Sequence, residues 1–331
     1  MKISILMPVF NALPYLEECL NSILEQTAID WELLAVDDFS SDESYATLEA
    51  FAKKDARIKP LRNTQKGIIP ALRNAYANST GDLITRMDAD DRMTPNKLQA
   101  LRSELLQAGP GHLITALVQY FSAVSLGAGY QRYEQWLNRL TQSASNYTDI
   151  YRECVIPSPC WMCFREDLDR CLAFQPNSYP EDYDLCFRFY EQSLKIIGVP
   201  EVLHYWRDYP ERTSRNDEHY ADLLYFDLKL PWFLKLDHDT NRPLFLWGAG
   251  KKGKRIAQFL NQERISFQWI CNQSSKWGHI IQGVQMQSFE YLGQFPNAQL
   301  IIAVSKPEDQ EEILQFLNQA ALKNIQFWFF C

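Results

Sequence analysis

The sequence predicts an α/β fold with a mainly parallel sheet, followed by a second, smaller α/β domain. The first observation is that short apolar runs alternate with helical segments up to about Thr94, a pattern typical of parallel strands with helices on both faces. The second is that this alternation begins again at Leu244, after a polar stretch at 235–243. Since 331 residues suffice for about two domains, we predict domains at 1–238 and 242–331.

The elements of the first part can be assigned in order. The first strand covers 3–7, an apolar run that ends at Pro8, and the first helix covers 13–26, where apolar residues recur at helical spacing. Ser41 or Asp42 can cap the next helix, because short polar side chains bond the free N–H groups of a first turn. The predicted strands that follow are 33–36, 58–61, 82–87 and 113–121, and the predicted helices are 43–54, 68–78 and 95–108.

The smaller domain begins with a glycine-rich turn between a strand and a helix. Gly248, Gly250 and Gly253 follow a predicted strand at 244–247 and have the G-x-G-x-x-G spacing whose backbone N–H groups can hold a phosphate. A dinucleotide site also needs an acidic residue at the end of the next strand, but the sequence at 271–272 reads Cys-Asn. The turn therefore predicts a phosphate site for a nucleotide or nucleotide sugar, a partner contact or a structural bend, and not NAD-dependent catalysis.

Composition and charge exclude several classes of protein. Lys and Arg number 33 against 41 Asp and Glu, and the resulting net charge of −8 disfavours nucleic acid as a partner. The sequence contains no run of 18 apolar residues that would indicate a membrane-spanning helix. The N-terminus has no small-residue cleavage site, and the eight scattered cysteines suit a reducing compartment, so we predict a cytoplasmic protein.

Two acidic clusters are expected at one edge of the predicted sheet. Asp37 and Asp38 end the second predicted strand, and Asp88, Asp90 and Asp91 follow the fourth. The carboxyl ends of parallel strands meet at the edge where ligands bind, and carboxylates are ligands that Mg²⁺ and Mn²⁺ prefer. Each cluster taken alone is also typical of capping or solvated turn acids.

Six motifs, in order along the chain, carry a resemblance to a known family. They are Met-Pro-Val-Phe-Asn at 7–11, Val-Asp-Asp-Phe-Ser-Ser-Asp at 36–42, Lys-Gly and Ala-Leu-Arg-Asn within 66–74, Met-Asp-Ala-Asp-Asp at 87–91, Tyr-Pro-Glu-Asp-Tyr-Asp-Leu at 179–185, and Leu-His-Tyr-Trp-Arg at 203–207. Together they span about 1–215 and resemble the inverting family 2 glycosyltransferases of the GT-A type. The smaller domain resembles Rossmann-like domains that are appended to some bacterial glycosyltransferases.

The resemblance implies a nucleotide site at the ends of the predicted strands. The residues that it implies for nucleotide binding are Pro8, Phe10, Asp37, Asp38, Arg73 and Asp88. Asp38 would accept an N–H of a uracil-type base, Arg73 would lie near the base or the diphosphate, and Asp88 would face the ribose. Phe39 stands where the family has a small residue, and Pro8 offers no side-chain hydrogen bond to a base. These two departures leave the identity of the nucleotide open.

The resemblance also implies a metal and a catalytic base. Asp90, together with Asp88, would bind Mn²⁺ or Mg²⁺, and Asp91 would support them. Asp182 would act as the general base that takes the proton of the acceptor hydroxyl, with Glu181 beside it. A carboxylate near the N-terminus of a helix, however, is also stabilised by the helix dipole without any catalytic role.

A polar loop after the predicted strand at 203–206 carries three arginines. Arg207, Arg212 and Arg215 would close over the diphosphate, because guanidinium groups match phosphate oxygens in geometry. A solvated surface loop is the alternative. His204, next to this loop, is either a third metal ligand or a structural histidine.

From these residues and the family that they resemble, we predict a metal-dependent glycosyltransferase of the hexosyltransferase type. It would move a sugar from a nucleotide-diphospho sugar, with a UDP-sugar favoured, to a saccharide or lipid-linked saccharide in bacterial surface polysaccharide synthesis. Contact with the inner face of the membrane and self-association stay open. The alternatives are an NAD(P)-linked sugar-nucleotide oxidoreductase and a non-catalytic nucleotide-sugar sensor. The missing acid at 271–272 argues against the first, and Asp182, which a sensor does not need, argues against the second.

Overall fold

Two compact units make up the protein. The residues that the computed structural model describes are 1–123, 125–175, 177–210, 212, 225–319, 322 and 324–331. The first unit comprises Met1–Tyr147 and Cys154–Asp217, and the second comprises Thr148–Glu153 and Glu218–Cys331. Within the described ranges, no helix is both long enough and apolar enough to cross a lipid bilayer.

A sheet that has eight strands among the described residues forms the centre of the first unit. Its strands are β1 (Ile3–Val9), β2 (Trp31–Asp37), β3 (Ile58–Arg62), β4 (Leu83–Arg86), β5 (Arg92–Met93), β6 (His112–Phe121), β7 (Trp161–Phe164) and β8 (Lys195–Arg207). Their order is β3-β2-β1-β4-β7-β6-β8-β5. Neighbours run parallel except where β7 meets β4 and β6 and where β5 meets β8. The predicted mainly parallel sheet is therefore confirmed.

Amphipathic helices cover this sheet. They are α1 (Leu13–Leu24), α2 (Ser44–Lys54), α3 (Ile68–Ala77), α4 (Lys97–Ala108), α5 (Ala128–Gln142), α6 (Arg165–Arg170) and α7 (Glu181–Glu191). In α1, Leu16, Leu20 and Ile23 lie on one helical face, because residues three and four apart are neighbours on a helix. They join the same buried core as Ile5 and Met7, which alternate along β1. This packing holds α1 against the sheet.

The carboxyl ends of β1, β2 and β4 lie together at one edge of the sheet. Val9 is opposite Asp37 in the register of β1 and β2, and Leu6 is opposite Arg86 in that of β1 and β4. The backbone N–H of Asp38 donates to the carbonyl of Val9 at 2.7 Å, which extends the pairing beyond the end of β2. The residues that follow these strand ends are therefore held near one another.

The amino ends of the same strands carry a buried acid with many partners. Glu32, near the start of β2, accepts hydrogen bonds from Lys2 Nζ at 2.8 Å, Lys59 Nζ at 2.6 Å, Ser4 Oγ at 2.7 Å and the N–H of Thr80 at 2.6 Å. Burial alone would raise the pKa of Glu32, but these donors outweigh burial and hold that pKa well below its ordinary value. This end of the sheet is electrostatically satisfied.

The second unit contains a smaller sheet, whose strands among the described residues are mostly parallel. Its strands are β9 (Leu244–Trp247), β10 (Gln268–Cys271), β11 (Ile280–Ile281), β12 (Val284–Ser288), β13 (Gln299–Ile302) and β14 (Gln326–Phe329), and its helices are α8 (Tyr225–Leu236), α9 (Lys251–Gln262) and α10 (Pro307–Gln319). The order is β11-β12-β10-β9-β13-β14, and β11 runs antiparallel to its neighbour. A second, smaller α/β domain was predicted and is confirmed; the Rossmann-like description stays a prediction.

The glycine turn between β9 and α9 is shaped by close backbone contacts. A Cβ on Gly253 would lie 2.0 Å from the carbonyl oxygen of Gly248, and Gly248 itself has φ +127°. A Cβ on Gly250, by contrast, meets no described atom within 4 Å. Asn272, at the position where a dinucleotide site has an acid, accepts a hydrogen bond from the indole of Trp247 at 2.6 Å. Packing explains two of the three glycines, and a phosphate role for the turn stays a prediction.

A short segment from the middle of the chain belongs to the second unit. Tyr151 stacks on Phe330 with ring centroids 5.1 Å apart, and Phe233 of α8 packs edge-on against both rings. Lys229 of α8 donates to the carbonyl of Arg152 at 2.9 Å. The sequence places this segment and α8 in the domain 1–238, and those domain bounds stay a prediction. Any cut at residue 238 would separate α8 and Tyr151 from Phe330.

Candidate active site

Asp37 and Asp38, the two acids at the end of β2, lie in different environments. Both carboxylate oxygens of Asp38 accept the N–H of Gly67 at 2.9 Å, and one also accepts Nδ2 of Asn63 at 2.7 Å. Asp37 is 3% exposed, and its Oδ1 has no hydrogen-bond partner among the described residues. Because a carboxylate has about four acceptor sites, Asp38 can still receive a ligand N–H, but Asp37 carries the unsatisfied oxygen.

Two aromatic side chains stand exposed beside this pair. Phe10 follows β1 and is 48% exposed, and the ammonium of Lys66 lies 5.1 Å from its ring centroid. Phe39 follows Asp38, is 52% exposed and has φ +61°. Pro8 lies inside β1, where it pairs with Val36 of β2. Phe10 and Phe39 therefore offer flat apolar surface next to a buried carboxylate.

Arg73 has partners within the protein. Its guanidinium, on α3, donates to the carbonyls of Phe174 and Gln175 and to Oδ1 of Asn177, the last at 2.9 Å. These contacts fasten the segment that leads into α7. The predicted contact of Arg73 with the nucleotide stays a prediction.

The loop after β4 concentrates negative charge. Asp90 Oδ2 accepts the hydroxyl of Tyr209 at 2.9 Å. Burial, and then repulsion from Asp91 and Asp88, raises the pKa of Asp90 to about 7. Burial and the charge of Asp88 raise the pKa of Asp91 to about 8. A cation placed among these carboxylates would relieve that repulsion.

A buried chain of hydrogen bonds lies beneath this loop. Asp91 accepts the N–H of Arg207 at 2.7 Å and faces Nε2 of His204 at 2.9 Å, while Lys97 Nζ lies 3.0 Å from His204 Nδ1 and 2.6 Å from the carbonyl of Pro159. Burial and the charge of Lys97 lower the pKa of His204, so its ring is neutral. Since Lys97 donates to Nδ1, the ring proton is on Nε2 and donates to Asp91. Both ring nitrogens are occupied, which fits the structural role and not that of a metal ligand.

The donor set of this loop fits a divalent cation held jointly with a phosphate ligand. Across the described part of the chain, no group of three or more His, Cys, Asp or Glu is placed to hold a metal ion by itself. Mg²⁺ and similar ions, however, are usually bound by one or two carboxylates and complete their coordination with substrate phosphates and water. Asp88 and Asp90 are two such carboxylates in a region of excess negative charge. The residues present therefore fit the predicted Mn²⁺ or Mg²⁺, with the ion itself unidentified.

Arg86, which the sequence analysis did not single out, connects this loop to α7. It ends β4, its side chain is 6% exposed, and it lies between two carboxylates: Nε is 3.0 Å from Asp88 Oδ1, and one Nη is 2.9 Å from Glu181 Oε1. The available signal was an arginine inside the buried run Leu-Ile-Thr-Arg-Met, two residues before the acidic motif. A buried cation at a strand end calls for acidic partners.

The two acids that begin α7 differ in access. Glu181 is 5% exposed and is paired with Arg86, whereas Asp182 is half-buried and accepts the N–H of Tyr183 at 2.8 Å. Burial, and then repulsion from Glu181, raises the pKa of Asp182 to about 7, although the charge of Arg86 opposes this rise. Asp182 is therefore the carboxylate that a ligand can reach and that holds a proton near neutral pH. Seven acids at this end of the sheet form what we call the acidic edge: Asp37, Asp38, Asp88, Asp90, Asp91, Glu181 and Asp182.

The predicted arginine loop is only partly described. Arg207 donates through Nε to the carbonyl of Asp90 at 2.6 Å and also contacts Glu18. The guanidinium of Arg212 lies 5.1 Å from the ring centroid of Trp206. Arg215 lies outside the described residues. Two of the three arginines thus lie at the end of β8, beside the loop after β4.

Comparison with known proteins identifies the family. Residues 4–172, just over half of the chain, match the family model of glycosyl transferase family 2. The chain belongs to glycosyl transferase family 2. The putative glycosyltransferase EpsE of Bacillus subtilis is 35% identical over 66% of this chain and 78% of that protein, and the glycosyltransferase GlyG of Streptococcus pneumoniae is 34% identical over 62% and 70%. The match to EpsJ of Bacillus subtilis, an uncharacterized glycosyltransferase, is 34% identical but spans only 30% of that relative.

Solved structures of two other proteins share the fold of this chain. Residues 1–349 of TarS of S. aureus in complex with UDP-GlcNAc align with a TM-score of 0.55 and 19% identity, over 80% of this chain and 72% of that TarS chain. The mannosyltransferase PcManGT of Pyrobaculum calidifontis in complex with GDP-Man and Mn²⁺ aligns with a TM-score of 0.54 and 19% identity, over 70% and 66%. These likenesses confirm the predicted GT-A type architecture.

Proposed function

We propose that this chain is an inverting, metal-dependent hexosyltransferase that uses a nucleotide-diphospho sugar. The observation that carries the proposal is that one guanidinium, that of Arg86, contacts both Asp88 and Glu181. The contact supports the proposal because it joins Asp88, a proposed donor-binding acid, to Glu181, which is the chain neighbour of Asp182, the proposed general base. A sensor or a nucleotide-binding module needs the first group and not the second.

The proposed chemistry starts at Asp182. Its carboxylate takes the proton of an acceptor hydroxyl as the oxygen attacks the anomeric carbon, and the proton stays on Asp182. Attack from the face opposite the leaving diphosphate inverts the anomeric centre. A pKa near 7 makes Asp182 a stronger base than an ordinary aspartate and leaves much of it ionised at neutral pH.

The remaining predicted residues are assigned to the donor. Asp88 and Asp90 would hold the cation, which supplies positive charge to the departing diphosphate when bound. Arg207 and Arg212 would add to that charge. The proposed nucleotide-binding residues are Pro8, Phe10, Asp37, Asp38 and Arg73. Asp37 contributes the buried oxygen that lacks a protein donor among the described residues, and a base N–H or ribose hydroxyl would satisfy it.

The ligands named with two structural neighbours support the choice of donor class. TarS is described with UDP-GlcNAc and PcManGT with GDP-Man and Mn²⁺. We favour a UDP-sugar as donor, and as acceptor a saccharide or lipid-linked saccharide of a bacterial surface polysaccharide. We propose a cytoplasmic location for the protein, and contact with the inner face of the membrane stays open. Residues 242–331 are proposed to carry no redox chemistry.

Screening donors against the full chain tests the proposal. Thermal unfolding with UDP-, GDP- and dTDP-sugars should show a rise in melting temperature that requires Mn²⁺ or Mg²⁺, because a ligand that binds the folded state stabilises it. The stabilising donor should then release its nucleoside diphosphate with an acceptor, and NMR should show inversion at the anomeric carbon. Retention of configuration, or NADH consumption with a nucleotide sugar, would contradict the proposal.

A further inference from the structure

Arg86 is a buried cation shared between two parts of the chain that are far apart in sequence. Asp88 lies in the loop after β4, and Glu181 is the first residue of α7. The distances of 3.0 Å and 2.9 Å allow one planar guanidinium to pair with both carboxylates through separate N–H groups. The arrangement joins a loop to a helix through a single side chain.

Stability alone gives little reason for such a bridge. A buried ion pair loses solvation that its attraction only partly recovers, and apolar residues of similar volume often stabilise a protein as well or better. The other side chains of β4 are buried, two of them apolar. An arginine at this position therefore points to a requirement for geometry or charge at the acidic edge.

We propose that Arg86 is a positioning residue for glycosyl transfer, whose guanidinium holds Asp88 and Glu181 in a fixed relation and so keeps Asp182 aligned with a donor bound at Asp88. The inference rests on the proposed function, because it assigns Asp182 as the base and Asp88 to the donor. Arg86 itself touches neither the donor nor the acceptor in this scheme.

The electrostatics of Asp182 provide a second line of support. The charged groups that act on it are Glu181 on its own helix, Arg86 at the end of β4 and Asp88 in the following loop. Arg86 lowers the pKa of Asp182, and Glu181 raises it. Removal of the cation and removal of the neighbouring acid should therefore shift the titration of the base in opposite directions.

Lysine should not replace Arg86 in this role. Its ammonium is a compact point charge on a flexible stem, whereas the guanidinium is a rigid fork that can serve two carboxylates at once. Arg86→Lys keeps the charge but loses the fixed geometry, and Arg86→Met loses both. A misplacement of about 1 Å near reacting groups can cost about a hundredfold in rate, so the lysine variant should already be impaired.

The experiment compares Arg86→Lys, Arg86→Met and Glu181→Gln with the wild-type full chain. With the donor found by the screen, we expect Arg86→Lys to lower kcat at least about tenfold, and more than it weakens binding of UDP with Mn²⁺ measured by calorimetry. In pH–rate profiles, the acidic limb should move up by about one unit in Arg86→Met and down in Glu181→Gln.

Arg165→Lys is the matched control. Arg165 is also partly buried, but it donates to neutral groups, the carbonyl of Gly81 at 2.7 Å and Oγ of Ser79 at 2.8 Å. This control should lose stability without a change in kcat or in the pH profile. If Arg86→Met does not fold, Arg86→Lys and Glu181→Gln still decide the question. Wild-type kcat and an unshifted pH profile in the variants that fold would overturn the role of Arg86, whereas an inactive wild type would overturn the proposed function and this inference with it.

Discussion

Buried acids at the two ends of the strands in the large sheet differ in their hydrogen-bond partners and in the direction of their pKa shifts. At the amino ends of the strands, Glu32 accepts hydrogen bonds from two lysines, a serine and a backbone N–H, and its pKa is held below its ordinary value. At the acidic edge, burial and repulsion from neighbouring acids raise the pKa of Asp90 and Asp182 to about 7 and that of Asp91 to about 8. One sheet thus has a fully hydrogen-bonded acid near the amino ends of its strands and the crowded carboxylates of the acidic edge at the other end.

The difference separates a structural role from a functional one. A carboxylate with a complete set of donors has nothing left to offer a ligand and contributes to folding. Carboxylates crowded together in a partly buried site retain unused charge, and that charge can bind a cation or accept a proton. The acidic edge also lies at the carboxyl ends of the strands, where ligands bind in open parallel sheets.

The largest expected effect concerns the base. Asp182→Asn keeps the shape of the side chain but removes its ability to accept a proton, so turnover should fall at least about a hundredfold while donor affinity changes little. In the wild type, activity should rise with pH around 7, because the base acts only when ionised. Steady-state kinetics across pH 5–9 measure both effects. Near-normal turnover in a folded Asp182→Asn protein would shift the role to Glu181.

At the opposite edge, the expected effect is on folding and not on catalysis. Glu32→Gln removes the charge that Lys2 and Lys59 share, and we expect a loss of about 1–3 kcal/mol in the free energy of unfolding at pH 7. Because the folded pKa of Glu32 is depressed, its stabilisation is present above the ordinary pKa near 4.5 and is lost as pH falls. Urea titrations should therefore show the difference from wild type shrinking below about pH 4, with kcat unchanged.

Asp90→Asn should weaken donor binding without lowering the stability of the protein. It removes one charge from the crowded loop, so the donor-free protein should be as stable as wild type or slightly more stable, and the part of donor affinity that depends on Mn²⁺ should fall about tenfold or more. The folded pKa of Asp90 is raised, so its unfavourable contribution appears as pH rises from about 4 to 7. Calorimetry with and without Mn²⁺ measures the binding change, and unchanged metal dependence would remove Asp90 from the cation site.

Much of the first unit was predictable because its information is local. Apolar runs and helical spacing mark β1 to β4 and the helices between them, and the carboxyl ends of parallel strands must meet at one edge. The positions of Asp37, Asp38, Asp88 and Asp90 at strand ends follow from that rule. The resemblance to the family added the expected roles.

The features that the sequence did not reveal depend on contacts between distant residues. No local pattern pairs Arg86 with Glu181, or joins Tyr151 to Phe330 in the second unit. Likewise, Gly67 and Asn63 donate to Asp38 because the segment before α3 folds back toward β2, and among the described residues no donor reaches Oδ1 of Asp37. Tertiary packing decides which of two adjacent acids is free for a ligand.

The smallest expected effect tests backbone strain at the same edge. Phe39 has φ +61°, a region that costs an ordinary side chain about 1–2 kcal/mol, and Phe39→Gly removes that strain while adding about 0.5–1 kcal/mol of chain entropy to folding. The net gain in stability should be roughly 0.5 kcal/mol. Leu172→Gly is the matched control, since Leu172 is 61% exposed and has φ +49° in the same unit. If Phe39 is kept at this position for contact with the donor, both variants should gain a similar amount of stability, but only Phe39→Gly should weaken donor binding in calorimetry. Equal donor affinity in the two variants would show that neither the side chain of Phe39 nor its backbone strain has a role in donor binding.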